Sequence, residues 1–519
     1  MLSSPRNDNL KLTYGRGGKL ISSVIKNVLP EIDLRQKQTN NIIFITFWSQ
    51  FSVYALNTIL VLFLTRPLLE QGLGYSQSKA YAFIGVTQAT GYLMPILGGY
   101  MADNIIGVRR SILLGSIMLA CSYLLVMLSG FTISSIGDQL FIAAFAFIPA
   151  TNSLLMGTAS SMVSHIYSDD AIKAKSAMTY YYMAINVGAL LATIIAPALL
   201  DSRYGPLSIL TLTFVGKSIA ALNFANRYSI YDNVIWGKDK SKFSQQGILR
   251  LTGYIAAIYA LTLFAYSHVY IASTLISVGC SLGIFWFLAK TMLLKGETRS
   301  KQMVAILLII EAVVFFIIYN QMNTTMILFA KSNSNHNLFG LTISPAQYQM
   351  LNPLLILLIG SQLPRFYRFF SRFTIPYQFA SGTMLSGISL LVMAFAAHIA
   401  TNGIVNGNYI ALTYILITIA ELWVSAIGLS MIGLYCDGHA IAFAMGVWYL
   451  ASSMANAISG RIAGWVAIPE NITSPIESLP YYKNYYLVMG VSALGIGVLM
   501  YVLAYCLQKI MKKRGIELA

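Results

Sequence analysis

Fourteen long apolar runs recur along this chain, and they constrain its fold more than any other feature. Most approach the ~20 apolar residues that an α-helix needs to cross a bilayer. The composition agrees, because 57% of the residues are hydrophobic and only 10% are charged, whereas soluble domains carry about 25% charged residues. The predicted spans are 42–64, 81–101, 112–128, 140–163, 178–200, 207–224, 251–270, 271–289, 304–329, 351–363, 379–399, 409–434, 443–466 and 486–507. The tenth is short, and we expect it to extend back through 347–350. The sequence therefore predicts an all-α polytopic membrane protein.

The positive charge is distributed as membrane topology requires. The net charge is +16, and most of the 34 Lys and Arg residues lie in the two tails and in every second loop between the spans. Basic residues concentrate in cytoplasmic loops of membrane proteins, so both termini are predicted to be cytoplasmic. Membrane topology explains why basic residues cluster at the helix ends. The lipid bilayer, rather than a nucleic acid, is therefore the expected partner.

Metal, cofactor and enzyme chemistry are not expected. The four cysteines and five histidines are scattered along the chain without the spacing of metal ligands or a disulfide framework. Residues 1–41 are polar and basic, so no cleavable signal peptide is recognised at this end.

The spans divide into six, two and six. We predict an N-terminal tail at 1–41, a six-helix bundle at 42–224, a linker at 225–250, an inserted hairpin with its connection at 251–302, a second six-helix bundle at 303–508 and a tail at 509–519. Two six-helix halves are the usual layout of a transporter whose substrate site lies between them. The twelve core helices are numbered below without the hairpin.

Glu421 stands near the middle of the apolar run 409–434. A carboxylate at that depth costs about 3 kcal/mol on insertion scales and is usually kept for a function. Tyr414, Thr418 and Ser425 share its helical face, which favours a polar cavity inside the protein. A structural pair with a cation elsewhere in the chain is the alternative.

A glycine-rich basic loop joins helices two and three, with the sequence GGYMADNIIGVRR at 98–110. We expect Gly99 and Gly107 to let the backbones approach and Asp103 to cap a helix or pair across the domain. Arg109 and Arg110 are expected to anchor at the membrane surface. The pattern resembles the signature loop of the major facilitator superfamily, which implies a role in conformational gating. A topogenic loop with incidental glycines is the alternative.

Further segments resemble the proton-dependent oligopeptide transporter family. They are YYYMAINVGA at 180–189, YNQMNTT at 319–325, QMLNPL at 349–354, AEL at 420–422, GLS at 428–430 and MGVWYLA at 445–451. The resemblance covers about 42–505 and includes the hairpin, which is a feature of bacterial members. It implies the major facilitator fold, a place in the bacterial inner membrane, a functional monomer and the proton as coupling ion.

Helix one departs from this family. Members carry an ExxER cluster followed by FxYY, tied to proton coupling and to the peptide carboxylate, but here the aligned stretch from Thr46 to Tyr54 has no charged residue. The helix-four lysine that partners this cluster aligns with Met156, and a polar pair of helices one and seven aligns with Asn57 and Asn320. Anions and cations are lost together, which leaves no unpaired buried charge and suggests altered chemistry.

The resemblance also implies a substrate site. Asn186, Asn352 and Glu421 match the residues that hold the substrate's amino terminus, and their oxygens can accept the N–H bonds of an ammonium group. An interhelical hydrogen bond is the alternative for Asn186, and a kink at Pro353 is the alternative for Asn352. The other expected substrate contacts are Gln50, Tyr54, Asn57, Asn320, Gln321, Trp448 and Ser452; simple packing is the alternative for Trp448.

Two further charges lie inside spans. Lys217 on helix six is expected to snorkel towards the cytoplasm, with replacement of a lost cation as the alternative. Glu311 on helix seven is a second proton-binding candidate beside Glu421, or else lies near the membrane interface.

The leading prediction is a secondary active transporter of di- and tripeptides or related amine-bearing solutes that works by alternating access. Burial favours the protonated form of Glu421 in an empty cavity, whereas an arriving ammonium favours the ionised form. Competition between proton and substrate predicts weakened or inverted proton coupling and a preference for substrates without a free carboxylate. A non-transporting sensor or partner-binding protein on a transporter scaffold is the alternative.

Overall fold

The N-terminal half is built from eight helical segments. The computed structural model describes residues 14–132, 137–363, 365, 368, 373–516 and 518. The first helices are α1 (Tyr14–Thr65), α2 (Gln77–Met101), α3 (Val108–Gly130), α4 (Gln139–Phe145), α5 (Phe147–Leu155), α6 (Thr158–Ile166), α7 (Ala171–Leu200) and α8 (Gly205–Asn226). Segments α4 to α6 together form helix four, which is interrupted at Met156 and Gly157. Gly157 has a φ of 90° there, a conformation that glycine adopts readily.

The hairpin and the C-terminal half follow. The hairpin consists of α9 (Gln245–Ser267) and α10 (Val269–Met292), which are separated by His268 alone. The later helices are α11 (Gly296–Tyr319), α12 (Thr325–Asn333), α13 (Leu351–Ile359), α14 (Ile375–His398), α15 (Gly407–Tyr435), α16 (Ile441–Ala463) and α17 (Pro475–Lys513). A two-stranded hairpin, β1 (Asn337–Leu338) and β2 (Leu341–Thr342), lies between α12 and α13.

The helices account for all fourteen predicted spans, so the predicted fold class is confirmed. Helix seven consists of α11 and α12 joined by a 3-10 turn at Asn320–Asn323, and helix eight begins with the 3-10 turn Pro345–Met350 before α13. The predicted backward extension of the tenth span is thus present. Within the described residues, eleven helices are long and apolar enough to cross a membrane.

One segment of the hairpin has the GxSxG spacing of a hydrolase nucleophile, which the sequence analysis did not recognise. The spacing runs from Gly279 to Gly283 and falls inside α10. Ser281 donates a 2.8 Å hydrogen bond to the carbonyl of Ser277, as an ordinary helical serine does. A hydrolase nucleophile stands instead on a sharp turn between a strand and a helix. The spacing therefore carries no catalytic meaning here.

The two halves meet closely between α2 and α16. These two helices pack against each other, and both contain many small and polar residues. A Cβ atom at Gly460 would lie 2.5 Å from the carbonyl oxygen of Tyr81 and 3.0 Å from the Cα of Gly85. Ser453 adds a 3.0 Å hydrogen bond to the carbonyl of Ala89. The absence of side chains at Gly85 and Gly460 therefore permits the contact between the halves.

Two further contacts between the halves, among the described residues, lie at the same end of the bundle. Gln349 donates to the carbonyl of Thr58 on α1 at 3.0 Å, and Gln347 donates to the carbonyl of Ile194 on α7 at 2.8 Å. At the opposite end, where α7 begins, Tyr180 is 59% exposed and Tyr182 is 52% exposed.

The loop between α2 and α3 differs in detail from its prediction. Gly98 rather than Gly99 makes the close approach, because a Cβ atom at Gly98 would collide with Ser153 on α5, whereas nothing lies within 4 Å of a Cβ atom at Gly99. Asp103 is exposed, and the helix-capping role expected of it falls to Asp239 from the linker. Asp239 accepts hydrogen bonds from the backbone N–H groups of Arg109 at 2.8 Å and Arg110 at 3.4 Å.

Arg109 and Arg110 hold the linker, and their anchoring at the membrane surface stays a prediction. Arg109 is buried, donates to Asp232 at 2.6 Å and lies 3.8 Å from the centre of the Tyr228 ring. Arg110 donates to the carbonyls of Asp239 and Ser241. Gly107, with a φ of 98°, leaves room for the Asp239 carboxylate, as its predicted role in close approach requires. The linker is therefore fastened to the N-terminal half.

Candidate functional site

A polar cavity of about 330 Å³ lies between the two halves. Its lining comes from helices one to eight of the core and from Tyr266 of the hairpin. Five of the predicted substrate contacts line it: Gln50, Tyr54, Asn57, Asn320 and Asn352. Polar residues that the sequence analysis did not single out also line it: Thr87, Gln88, Tyr92, Asn152, Tyr181 and Tyr319.

Four polar residues of helix one face this cavity. Thr46, Gln50, Tyr54 and Asn57 all belong to its lining, as their helical spacing predicts. Asn320 faces them from the 3-10 turn of helix seven, and its buried side-chain nitrogen has no hydrogen-bond partner within the described chain. This part of the cavity is polar and uncharged.

Glu421 and Asn352 are brought together. Asn352 at the start of α13 donates hydrogen bonds to the Oε2 atom of Glu421 at 2.6 Å and to the hydroxyl of Thr418 at 3.2 Å. Glu421 is half-buried on α15. Tyr414, on the same predicted face, is fully buried and donates to the carbonyl of Met322. The predicted face is therefore polar as expected, but only its part around Glu421 reaches the cavity residues.

Phenol groups surround the Glu421 carboxylate. Tyr54, Tyr92, Tyr182 and Tyr319 all lie within electrostatic range of it, and the Tyr319 hydroxyl lies beside it. Among the described residues, neither a Lys nor an Arg is found in an ion pair with Glu421. The alternative of a structural pair with a cation therefore receives no support.

Five predicted contacts lie outside the cavity lining: Glu421, whose surroundings are described above, and Asn186, Gln321, Trp448 and Ser452. Asn186 is buried and donates to the carbonyl of Tyr182 in its own helix at 3.0 Å. Gln321 is fully buried, donates to Ile317 and Ser459, and accepts from Thr325 and Tyr485. All its hydrogen-bonding groups are therefore used in packing helix seven.

Trp448 and Ser452 belong to the packed interior of the C-terminal half. Trp448 is 4% exposed and contacts the rings of Phe316 and Phe379, with ring centres 5.8 and 6.2 Å away. Its ring also fills the space beside Gly428, where a Cβ atom would collide with it. Ser452 donates to the carbonyl of Trp448. These contacts match the packing alternative.

The prediction that Lys217 snorkels is wrong. Its side chain is 2% exposed, and its Nζ atom donates to the carbonyl and the hydroxyl of Ser49 on α1 at 2.8 and 2.7 Å. The lysine remains inside the bundle because the neighbouring helix offers two acceptors at that depth. Glu311 is also buried, at 4% exposure, and its Oε1 atom has no hydrogen-bond partner among the described residues.

Sequence reasoning missed the tyrosines on helices two and seven. Thr87, Gln88 and Tyr92 of α2 recur at helical spacing on one face, a signal that could have indicated a second polar wall. Tyr319 was noted within a motif but was not recognised as a neighbour of Glu421, because that proximity depends on the packing of α11 against α15.

An all-helical membrane protein with two six-helix halves and a polar cavity between them has the architecture of a secondary transporter. The family model described as PTR2, the POT family, matches residues 109–480. The chain belongs to the POT family. The family resemblance predicted from the motifs is thus confirmed.

Named relatives agree over nearly the whole length. Dipeptide and tripeptide permease A of Chromobacterium violaceum is 33% identical over 478 residues, which are 91% of this chain and 94% of that protein. The protein of the same name from Citrobacter koseri is 33% identical over 469 residues, 89% of this chain and 90% of its own. The crystal structure of tetrameric PepTSo2 superposes with a TM-score of 0.78 at 25% identity, covering 92% of this chain and 99% of that one.

Proposed function

We propose that this protein is a secondary active transporter that moves di- and tripeptides or related amine-bearing solutes by alternating access. The relatives named as dipeptide and tripeptide permeases support this substrate class. The single observation that carries the proposal is the Glu421 carboxylate, held by Asn352 beside a polar cavity and surrounded by tyrosines. The proposed location is a bacterial inner membrane with both termini in the cytoplasm, which the distribution of basic residues supports.

Glu421 is suited to hold the amino group of a substrate. Asn352 and the Tyr319 hydroxyl contact the carboxylate, and its two oxygens have further lone pairs that can accept from an ammonium donor. The neighbouring rings of Tyr54 and Tyr92 offer π faces that attract a cation, and their hydroxyls can accept further N–H bonds. An ammonium group would replace the missing cation in this pocket, and this electrostatic match favours free amines over acylated ones.

Among the described residues, the cavity lining offers no charge to a substrate carboxylate. Its polar residues include the uncharged Gln50, Asn57 and Asn320. They can form hydrogen bonds with a carboxylate or an amide, but they cannot neutralise an anion. We therefore propose that a peptide amide is transported at least as well as the corresponding free peptide.

The coupling ion in this proposal is the proton, and Glu421 and Glu311 are the carboxyl groups that can carry it. Binding of an ammonium at Glu421 favours its ionised form, so substrate and proton compete there. The functional monomer stays a prediction, and one solved relative is tetrameric in its crystals. Catalysis plays no part in the proposal.

The test is uptake into proteoliposomes of a labelled dipeptide and of its amide, with and without a pH gradient. We expect uptake of both, with the amide preferred, and loss of uptake in the Glu421→Gln variant. Gly446→Ala serves as the control, because open space surrounds Gly446. Strong proton-driven uptake of the free dipeptide that survives Glu421→Gln would refute the role of Glu421. Ligand-dependent thermal stabilisation without any flux would instead favour the sensor alternative.

A further inference from the structure

Lys217 is a buried basic residue whose surroundings the proposed function does not explain. It is the only charged residue of α8. Its Nζ atom contacts both oxygen atoms of Ser49 and lies 5.1 Å from the centre of the Tyr123 ring. An ionisable group inside a membrane bundle is costly, and it usually serves the transported substrate or ion.

The helices around Lys217 provide no counter-ion. Helices α1, α3 and α7 pack against α8, and neither α3, α7 nor the stretch 34–65 of α1 contains an acidic residue. The basic residues of these stretches lie near one end of each, as Arg35 and Lys173 do. The titratable groups that face this region are phenols: Tyr123 on α3, Tyr181 on α7 and, beyond the end of α8, Tyr231. A permanently charged lysine would therefore be an unpaired buried charge, which is strongly unfavourable.

The hydrogen bonds of Lys217 suit both of its protonation states. A neutral amine has two N–H donors, and Ser49 supplies two acceptors, its carbonyl and its hydroxyl. An ammonium group has a third donor and gains the nearby face of Tyr123. The side chain can therefore gain or lose a proton without losing its contacts with α1.

The cavity reaches the partner of this lysine. Ser49 and Tyr123 line the cavity, and so does Ala220, which lies one turn from Lys217 on the same face of α8. Lys217 itself is 2% exposed. The Ser49 hydroxyl can accept and donate a hydrogen bond, so a proton can pass through it.

Lys217 is also placed to affect the substrate cavity mechanically. Gly216, its neighbour in the chain, lies so close to α1 that a Cβ atom there would collide with the Ser52 hydroxyl. The same helix α1 carries Gln50, Tyr54 and Asn57 into the cavity. A change of charge at Lys217 would therefore act directly on a helix that lines the substrate site.

We propose that Lys217 is a proton-carrying residue of the transport cycle, which exchanges its proton with cavity water through the Ser49 hydroxyl. The neutral amine takes a proton from hydronium to form an ammonium group and leave water, and it returns the proton when the cavity faces the other side. This assignment rests on the proposed transport function. The assignment places a proton-binding group against the part of helix one where other POT family members carry the carboxylates of the ExxER cluster.

The test separates peptide exchange from proton-driven accumulation in proteoliposomes. Counterflow of a labelled dipeptide at equal pH requires binding and alternating access without net proton movement. Accumulation under an inward proton gradient additionally requires the proton carrier. For Lys217→Gln and Lys217→Met we expect the same counterflow as in the unaltered protein. With an inward proton gradient, these variants should accumulate no more dipeptide than they do without a gradient. Lys290→Gln, on an exposed turn of α10, is the matched control and should retain both activities.

Accumulation at the unaltered level in a Lys217 variant would overturn the proposal. So would loss of counterflow in a Lys217 variant that folds, because the lysine would then be needed for binding or conformational change. If both Lys217 variants fail to fold, Ser49→Ala tests the same route: it keeps the carbonyl acceptor, and we expect slower accumulation with unchanged counterflow. Unchanged accumulation in Ser49→Ala would then refute the route. Absence of counterflow in the unaltered protein would refute the proposed transport function instead.

Discussion

Adding a methyl group at Gly460 should disrupt the contact between the two halves. In Gly460→Ala the new Cβ atom would lie 2.5 Å from the Tyr81 carbonyl oxygen and 3.0 Å from the Cα of Gly85. Both neighbours are backbone atoms, so the helices must move apart. Overpacking of this kind costs about 1–3 kcal/mol. The better helix propensity of alanine, about 1 kcal/mol, does not offset this cost, because α16 is expected to remain helical whether the contact is made or broken.

A cost of about 2 kcal/mol lowers the ratio of molecules with the α2–α16 contact closed to molecules with it open by roughly thirtyfold. Spin labels at residues 69 and 465 can report it, since Leu69 is 98% exposed and Trp465 is 72% exposed at the ends of opposite halves. In a background with the four cysteines replaced, pulsed electron paramagnetic resonance should show longer distances in Gly460→Ala, and peptide uptake should slow.

Gly446→Ala on the same helix is the matched control, because nothing lies within 4 Å of its Cβ position. It should keep the distances and the uptake rate of the unaltered protein. Identical distance distributions and uptake rates in Gly460→Ala and Gly446→Ala would refute the reasoning that close packing at this point sets the conformational equilibrium.

Three further predictions concern the framework of the protein. Trp448→Ala should lower thermal stability by about 3 kcal/mol, because it empties a buried aromatic site; an unchanged melting temperature would contradict this packing role. Asp239→Ala should destabilise by about 1 kcal/mol by removing the acceptor for the backbone N–H of Arg109, whereas Asp239→Asn should retain most of the stability because asparagine also caps helices. Burial opposes ionisation of Asp138, but hydrogen bonds from Tyr75 and Lys79 outweigh it and lower the pKa of that carboxyl. The ionised Asp138 therefore stabilises the protein above the pKa of the unfolded state, and this stabilisation is lost as the pH falls through the lower pKa of the folded state. Asp138→Asn should weaken the pH dependence of the melting temperature.

The membrane spans and the polar face of helix one could be predicted because both follow a regular pattern along the chain. Apolar runs of about twenty residues leave few alternatives to a helix in lipid. Gln50, Tyr54 and Asn57 share one helical face, and this face lines the cavity. Glu421 was predictable for a different reason, since the cost of a carboxylate in a span indicates a polar environment before any partner is known.

The partners of charged and aromatic residues could not be predicted in the same way. Lys217 donates to Ser49, which is 168 residues away, and Asp239 caps α3 through the N–H of Arg109, which lies 130 residues earlier. Trp448 was predicted to contact the substrate, but its side chain fills the space beside Gly428 between α15 and α16. Such contacts depend on how helices are arranged in three dimensions, and hydropathy and spacing within one helix carry no information on that arrangement.

The most direct test of the account is the preference for a free amino group. Affinities of a dipeptide and of its N-acetylated form, measured by competition in the uptake assay, give a ratio for the unaltered protein and another for Glu421→Gln. Hydrogen bonds to charged groups contribute about 1.5–3 kcal/mol, so the unaltered protein should prefer the free amine by roughly 10- to 150-fold. In Glu421→Gln the two affinities should become nearly equal. A preference for the free amine that remains unchanged in Glu421→Gln would contradict the assignment of this carboxylate as the substrate anchor.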